Sequence, residues 1–264
     1  MKLTLLLHEI KQQKISIIVW SGVLSFMLAV CIIIYPEMQT QMGDISQMFA
    51  DMGAFSEAFG MDQINFGEFM GYFGVECGNT LGMGGALLAA IVGIGALSKD
   101  ERDKTAEILL TLPVSRRRVV TEKLLFSVFH ILVVNLSIFL VSILCSLLIS
   151  ADADYGQMTL ILFSYFLMQL EIMAITFGIS SLLKRSGFGI GIGIGFGFYF
   201  MSILANLAEE LEFLKYLTPF GFADPSHIIS EGGLEPISLI VGIVLSTFGI
   251  AFAYFRYQKK DIAS

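Results

Sequence analysis

Polar positions in this chain come in clumps, and the stretches between them are apolar and of membrane length. Six such stretches, near 15–35, 72–97, 124–149, 158–183, 187–207 and 236–257, are dominated by aliphatic, aromatic and small residues. A helix needs about 20 such residues to cross a bilayer. Backbone groups in hydrocarbon must be bonded within their own segment, so these runs predict helices rather than strands. The expected fold is an all-α polytopic membrane protein with six transmembrane helices. They form one transmembrane domain over 1–264, with a polar loop at 98–123 and longer loops at 36–71 and 208–235.

Composition agrees with that class. Of 264 residues, 55% are hydrophobic and only 15% charged, against about 25% charged in soluble domains. The net charge of −7 says less than the distribution of each sign, because a bilayer separates the loops. With six spans, fifteen of the sixteen Lys and Arg fall on one side: in the N-terminal segment, in 98–123, at 184–185 and in the C-terminal tail. Lys215 alone lies on the other side, with fourteen acidic residues from Glu37 to Glu235. Basic loops mark the cytoplasmic face. Both termini and the 98–123 loop are therefore expected in the cytoplasm, with the chain a multi-pass protein of the cell membrane. No nucleic-acid partner is expected.

Cys31, Cys77 and Cys145 fall in or beside apolar runs with no CxxC spacing, which suits packing rather than disulfides. His8, His130 and His227 lack the spacing of metal ligands, and no metal site is expected. The start, KLTLLLHEIKQQK, sets Leu3, Leu6, Leu7 and Ile10 against Lys2, Glu9, Lys11 and Lys14. That pattern predicts an interfacial amphipathic helix leading into the first span.

The segment KDERDKTAEILLTLPVSRRRVVTEK, residues 99–123, concentrates seven of the sixteen basic residues. Read as helix, it carries charges at Asp100, Glu101, Asp103, Lys104 and Glu107. Ile108, Leu109 and Leu112 recur at helical spacing on another face. Pro113 ends that helix, and Ser115 suits the cap of a new one starting at the arginines and entering the third span. A positive-inside loop explains the charge. It does not explain apolar residues beside a proline elbow, a pattern that marks a protein contact.

These residues resemble the cytosolic loop of type-2 ABC transporter permeases. Glu101, Thr105, Glu107, Leu109, Leu110, Pro113, Ser115, Arg116 and Lys123 stand at the positions of that family's Glu, Thr-x-Glu, Leu-Leu-x-x-Pro, basic residue and Lys. Lys104 replaces the glycine that usually precedes the Thr. A weaker likeness lies in Leu217-Thr218-Pro219-Phe220 with Asp224-Pro225 before the last span. The resemblance implies the permease subunit of an ABC exporter, acting as a dimer with an identical or paralogous second copy. It implies a coupling helix in 98–123 docked on a cytosolic ABC ATPase subunit. Ile108, Leu109 and Leu112 would fill a groove there, and Glu107 with Arg116, Arg117 and Arg118 would form rim ion pairs. The chain lacks GxxxxGK[ST], so ATP and Mg belong to that separate partner. No cofactor and no catalytic residue are expected here.

Inside the spans, Glu171 and Glu76 are candidates for a transport path. Mid-membrane acids are costly, roughly 2.5–3.5 kcal/mol on insertion scales, and face the bundle or water. Gln169 and Thr176 are the polar neighbours that Glu171 finds in its own span; the alternative to a transport role is a protonated carboxyl bonded to a neighbouring helix. The run GFGIGIGIGFGFYF forms two small-xxx-small rows, Gly187-Gly191-Gly195 and Gly189-Gly193-Gly197, which favour close helix packing. The glycines of the second span, Gly78, Gly82, Gly84, Gly85 and Gly93, are the expected receiving surface. The Met- and Phe-rich loop 36–71 reads as a short amphipathic helix pair over the outer mouth.

Three other readings have less support. Glu209-Glu210 with Lys215 and His227 only partly matches membrane proteases of the CAAX type. An ATP-independent carrier would show paired intramembrane charges or broken helices in corresponding halves. A membrane sensor or immunity protein overlaps with export of an antimicrobial peptide, drug or other amphiphile.

Overall fold

The computed structural model describes residues 4–40, 65, 67–102, 114–184, 187–207, 209–211 and 213–260. In chain order the helices are α1 (Thr4–Thr40), α2 (Phe69–Cys77), a π-helical stretch (Gly78–Gly85), α3 (Ala86–Arg102), α4 (Arg116–Leu148), α5 (Tyr155–Ser180) and α6 (Phe188–Leu207). A 3-10 turn (Glu209–Leu211), α7 (Leu214–Leu217), α8 (Pro225–Glu231) and α9 (Pro236–Gln258) follow. Among the described residues six helices are long and apolar enough to cross a membrane, with α2, the π stretch and α3 acting as one span. Helix α1 starts at Thr4 and runs on through the first apolar stretch without a break; of the helix pair expected in 36–71, residues 41–64 and 66 lie outside the described residues. The fourth span stops at Ser180, short of the expected 183. There the Ser180 and Ser181 hydroxyls bond back to the carbonyls of Phe177 and Gly178, and the chain turns.

Side-chain caps set several helix starts. Ser115 Oγ accepts from the Arg118 N–H at 3.4 Å, opening the third span where its position predicts. Asp154, Asp224 and Glu235 cap α5, α8 and α9 in the same way.

The second and fourth spans form the centre. Two thirds of each one's apolar window is buried (67%), against 17% for the fifth span. The fourth span packs against the second, third and sixth, the first against the third, and the fifth against the second. Glycine lets backbones touch at two of these crossings. A β-carbon on Gly249 would stand 2.6 Å from the Ala174 carbonyl oxygen, and one on Gly178 would stand 2.8 Å from that of Gly249. Gly93 abuts the Met173 backbone and the Thr176 hydroxyl in the same close manner.

The chain from Thr218 to Asp224 does not stay at the surface. Phe220 meets Gly82 and Tyr199, about 20 Å along the second span from Phe69 at ~1.5 Å per residue. Phe222 is buried against Gly242 of the sixth span, and Pro225 packs on Gly74. The segment before the last span is thus re-entrant, folding back among the helices.

Candidate functional site

The polar loop 98–123 leaves the second span and enters the third, and the described residues on either side show how it is anchored. Residues 103–113, with Thr105, Glu107, Ile108, Leu109, Leu110, Leu112 and Pro113, lie outside the described residues, and so does the side chain of Glu101.

The anchor is a buried ionic knot. Lys123, only 3% exposed, sits at the foot of the third span. Its ammonium lies 2.9 Å from Glu9 Oε1 in the first span and 2.8 Å from Asp100 Oδ2 at the end of the second. The Lys99 ammonium adds a bond of 2.9 Å to Gln12 Oε1 and stands 3.8 Å from Glu9 Oε2. Gln13 donates to that same Glu9 oxygen at 3.0 Å. A lysine this deeply buried stays charged only if its charge is compensated. Here two carboxylates supply that compensation, and each comes from a different span.

The neighbouring residue adds a second tie. Glu122 Oε2 accepts from the Leu5 and Leu6 N–H groups at 2.9 and 3.0 Å, satisfying donors in the first turn of α1. Its other oxygen takes the Arg118 Nε–H at 2.6 Å. The remaining two arginines reach the last span. Arg116 donates to the Tyr257, Gln258 and Lys260 carbonyls at 3.4, 3.2 and 2.6 Å, serving as a C-cap for α9. Arg117, exposed, donates to Gln258 Oε1 at 3.3 Å. Thr121 and the Tyr254 hydroxyl share a bond of 2.6 Å. The two feet of the loop are thereby joined to each other, to the first span and to the sixth.

The intramembrane candidates do not come together. Glu171 is 4% exposed, and among the described residues its Oε2 has no hydrogen-bond partner. It faces Gly242 of the sixth span, where a missing side chain leaves it room. Its expected neighbours are otherwise engaged: Asn135 of the third span donates to Gln169 Oε1 at 2.8 Å, and Thr176 donates to its own helix at Ile172 and Met173. Glu76 is half-buried near the far end of the second span, beside Cys31 and Tyr72.

The two glycine rows of the fifth span separate. Gly187, Gly191 and Gly195 lie on the second span, with the place of a β-carbon on Gly191 only 3.2 Å from the Ala90 carbonyl oxygen and that on Gly195 3.3 Å from Ala86. Gly189, Gly193 and Gly197 face open space. The receiving surface is corrected here: it is Ala86, Leu87, Ala90 and Ile94 rather than the second span's glycines. Those turn elsewhere, Gly84 to Leu24, Gly85 to Gln169, Gly93 to the fourth span and Gly78 to Tyr165, and only Gly82 touches the fifth span, at Tyr199. A helical period of 3.6 puts the alanines, not the glycines, on the face that meets the fifth span.

Six membrane-capable helices do not by themselves name a function, and sequence comparison decides the family. A model of the ABC-2 family transporter protein matches residues 3–262. The chain belongs to the ABC-2 transporter family. It is therefore a multi-pass membrane permease of the type-2 ABC class, a family whose members work with an ATP-binding subunit. No curated protein matches it. In this ABC-2 permease the buried knot lies at the feet of the 98–123 loop. Sequence reasoning missed that knot: Glu9 and Lys123 lie far apart along the chain, and nothing local signals their pairing.

Proposed function

We propose that this chain is the membrane subunit of an exporter in the cell membrane, with both termini cytoplasmic, driven by a separate ABC ATPase that docks on the 98–123 loop. The observation carrying this reading is the pairing of Lys123 with Glu9 and Asp100. A push on the loop meets a rigid joint rather than two loose ends, so motion of a docked ATPase reaches the first, second, third and sixth spans together. In this reading Ile108, Leu109, Leu110 and Leu112 fill the ATPase groove around the Pro113 elbow, with Glu101, Thr105 and Glu107 at its rim. Arg116 and Arg118 brace the loop from inside, and Arg117, the exposed arginine, joins the rim. A second permease copy, identical or paralogous, would face the open Gly189-Gly193-Gly197 row. ATP and Mg stay with the ATPase, and the cargo class is an amphiphile such as an antimicrobial peptide or drug.

Replacing Leu109 and Leu112 together by Asp tests the docking surface. The expected result is loss of the co-purifying ATPase with membrane insertion unchanged, and retained association in that variant would remove the docking role. Glu171 favours a second element of the reading, a polar step in the transport path, because its carboxyl is buried without a partner for Oε2. Glu171→Gln is expected to keep expression and lower transport. Full transport would return Glu171 to a packing role.

A further inference from the structure

Two breaks in regular helix face each other inside the bundle. One is the π-helical stretch Gly78–Gly85 in the second span. The other is the re-entrant chain around Thr218–Asp224. π-Helical turns recur at functional sites. Irregular backbone at membrane depth is tolerated where it is buried in protein or lines a polar cavity. Here it lines a cavity of about 100 Å³ walled by Asn79, Tyr165, Tyr199, Thr218, Phe220 and Asp224. A second, more open cavity of about 450 Å³ adjoins it, with Lys215, Asp224 and Ser226 lining both.

The chemistry of the walls is specific. Tyr199 and Phe220 stand with ring centroids 6.0 Å apart and planes at 60°, forming an angled aromatic wall. Tyr165 lines the same cavity as Tyr199 and Asp224. Asp224 spends one oxygen on capping α8, accepting from the Ser226 N–H at 2.9 Å and the Ser226 hydroxyl at 2.7 Å, and its charge remains at the cavity wall. Thr218 is 3% exposed, and its hydroxyl has no partner among the described residues. Such a group is costly unless something bonds it. Aromatic faces beside a carboxylate recognise an organic ammonium, while Lys215 supplies a positive charge at the junction of the two cavities.

We propose that this re-entrant cavity binds a zwitterionic head group, with its ammonium against Tyr165, Tyr199, Phe220 and Asp224 and its anionic group toward Lys215. This adds a ligand class to the permease reading and rests on it only for the purpose of binding. Two sources fit the same chemistry, a lipid head group and a soluble or cargo-borne zwitterion.

The test uses the full chain in lipid nanodiscs, without ATPase, and follows its thermal midpoint with phosphocholine, choline and inorganic phosphate as probes. In phosphatidylglycerol discs phosphocholine should raise the midpoint, with choline weaker and phosphate without effect. Asp224→Asn keeps the cap, since Asn caps as well as Asp. It should weaken the phosphocholine response about tenfold, the loss of one charge-assisted contact. Tyr199→Leu should weaken it as well and decides the question if the first variant does not fold. Repeating the measurement in phosphatidylcholine discs separates the sources. A lost response there means the lipid head group already occupies the site, and a retained one means a soluble ligand. No response in phosphatidylglycerol discs, or an equal response in both variants, overturns the proposal. Neither failure touches ATPase association, which is measured separately.

Discussion

At the basic end of the bundle Lys123, 3% exposed, meets two carboxylates at 2.9 and 2.8 Å. At the acidic end Thr218 is buried to the same 3%, and its hydroxyl has no partner among the described residues. Burial is equal; satisfaction is opposite. A buried charge pair that is complete resists any motion that would separate it, because each lone ion would be left uncompensated. Buried hydroxyls left open around a cavity contribute little to rigidity and are ready to bond a guest. In the reading proposed above, the basic end carries force between spans and the acidic end accepts a ligand.

The contrast can be broken most severely at Lys123. Lys123→Met removes the buried cation that Glu9 and Asp100 share, and breaking such a buried pair costs about 3–5 kcal/mol. The variant should show a sharply lower thermal midpoint and poor membrane yield. Replacing Glu9 by Gln and Asp100 by Asn in the same chain should recover most of the loss. If Lys123→Met keeps the wild-type midpoint, the joint is not a joint.

Crowding at the centre ranks next. Gly249→Val places side-chain atoms against the Ala174 carbonyl, and overpacking of this kind costs about 1–3 kcal/mol. Detergent unfolding should detect it, whereas Gly193→Val, facing open space, should leave the isolated chain unaffected. If Gly193→Val instead disrupts only assembly of two permease copies, cross-linking yield will fall while the unfolding curve stays put.

The smallest effect is expected at the acidic end. Thr218→Val removes a hydroxyl that has no bond to lose, so stability should change by less than about 0.5 kcal/mol or rise slightly. A loss above 2 kcal/mol would mean that the hydroxyl is satisfied in the protein and that the two ends do not differ as described.

What could be read from the sequence follows from range. The six spans were legible because length and hydropathy act within one segment, and Ser115 was legible as a cap because capping spans three residues. The family was legible in the 99–123 motif, later matched over 3–262. The ionic knot was not, since its partners come from three spans, and the basic residues beside it also fit a positive-inside loop. The glycine rows gave the right helix face but the wrong receiver, because periodicity fixes which residues share a face and not which neighbour that face meets. The π-helical stretch and the re-entrant segment left only a glycine-rich patch and a Pro-containing loop as traces.

If a separate ATPase moves this permease, the two must travel together. The most direct measurement is purification of the tagged chain from its own cells in mild detergent, with identification and stoichiometry of what comes with it. An ATPase bearing GxxxxGK[ST] is expected in stoichiometric amount. A chain that reproducibly emerges alone, still folded and with its knot intact, would contradict it.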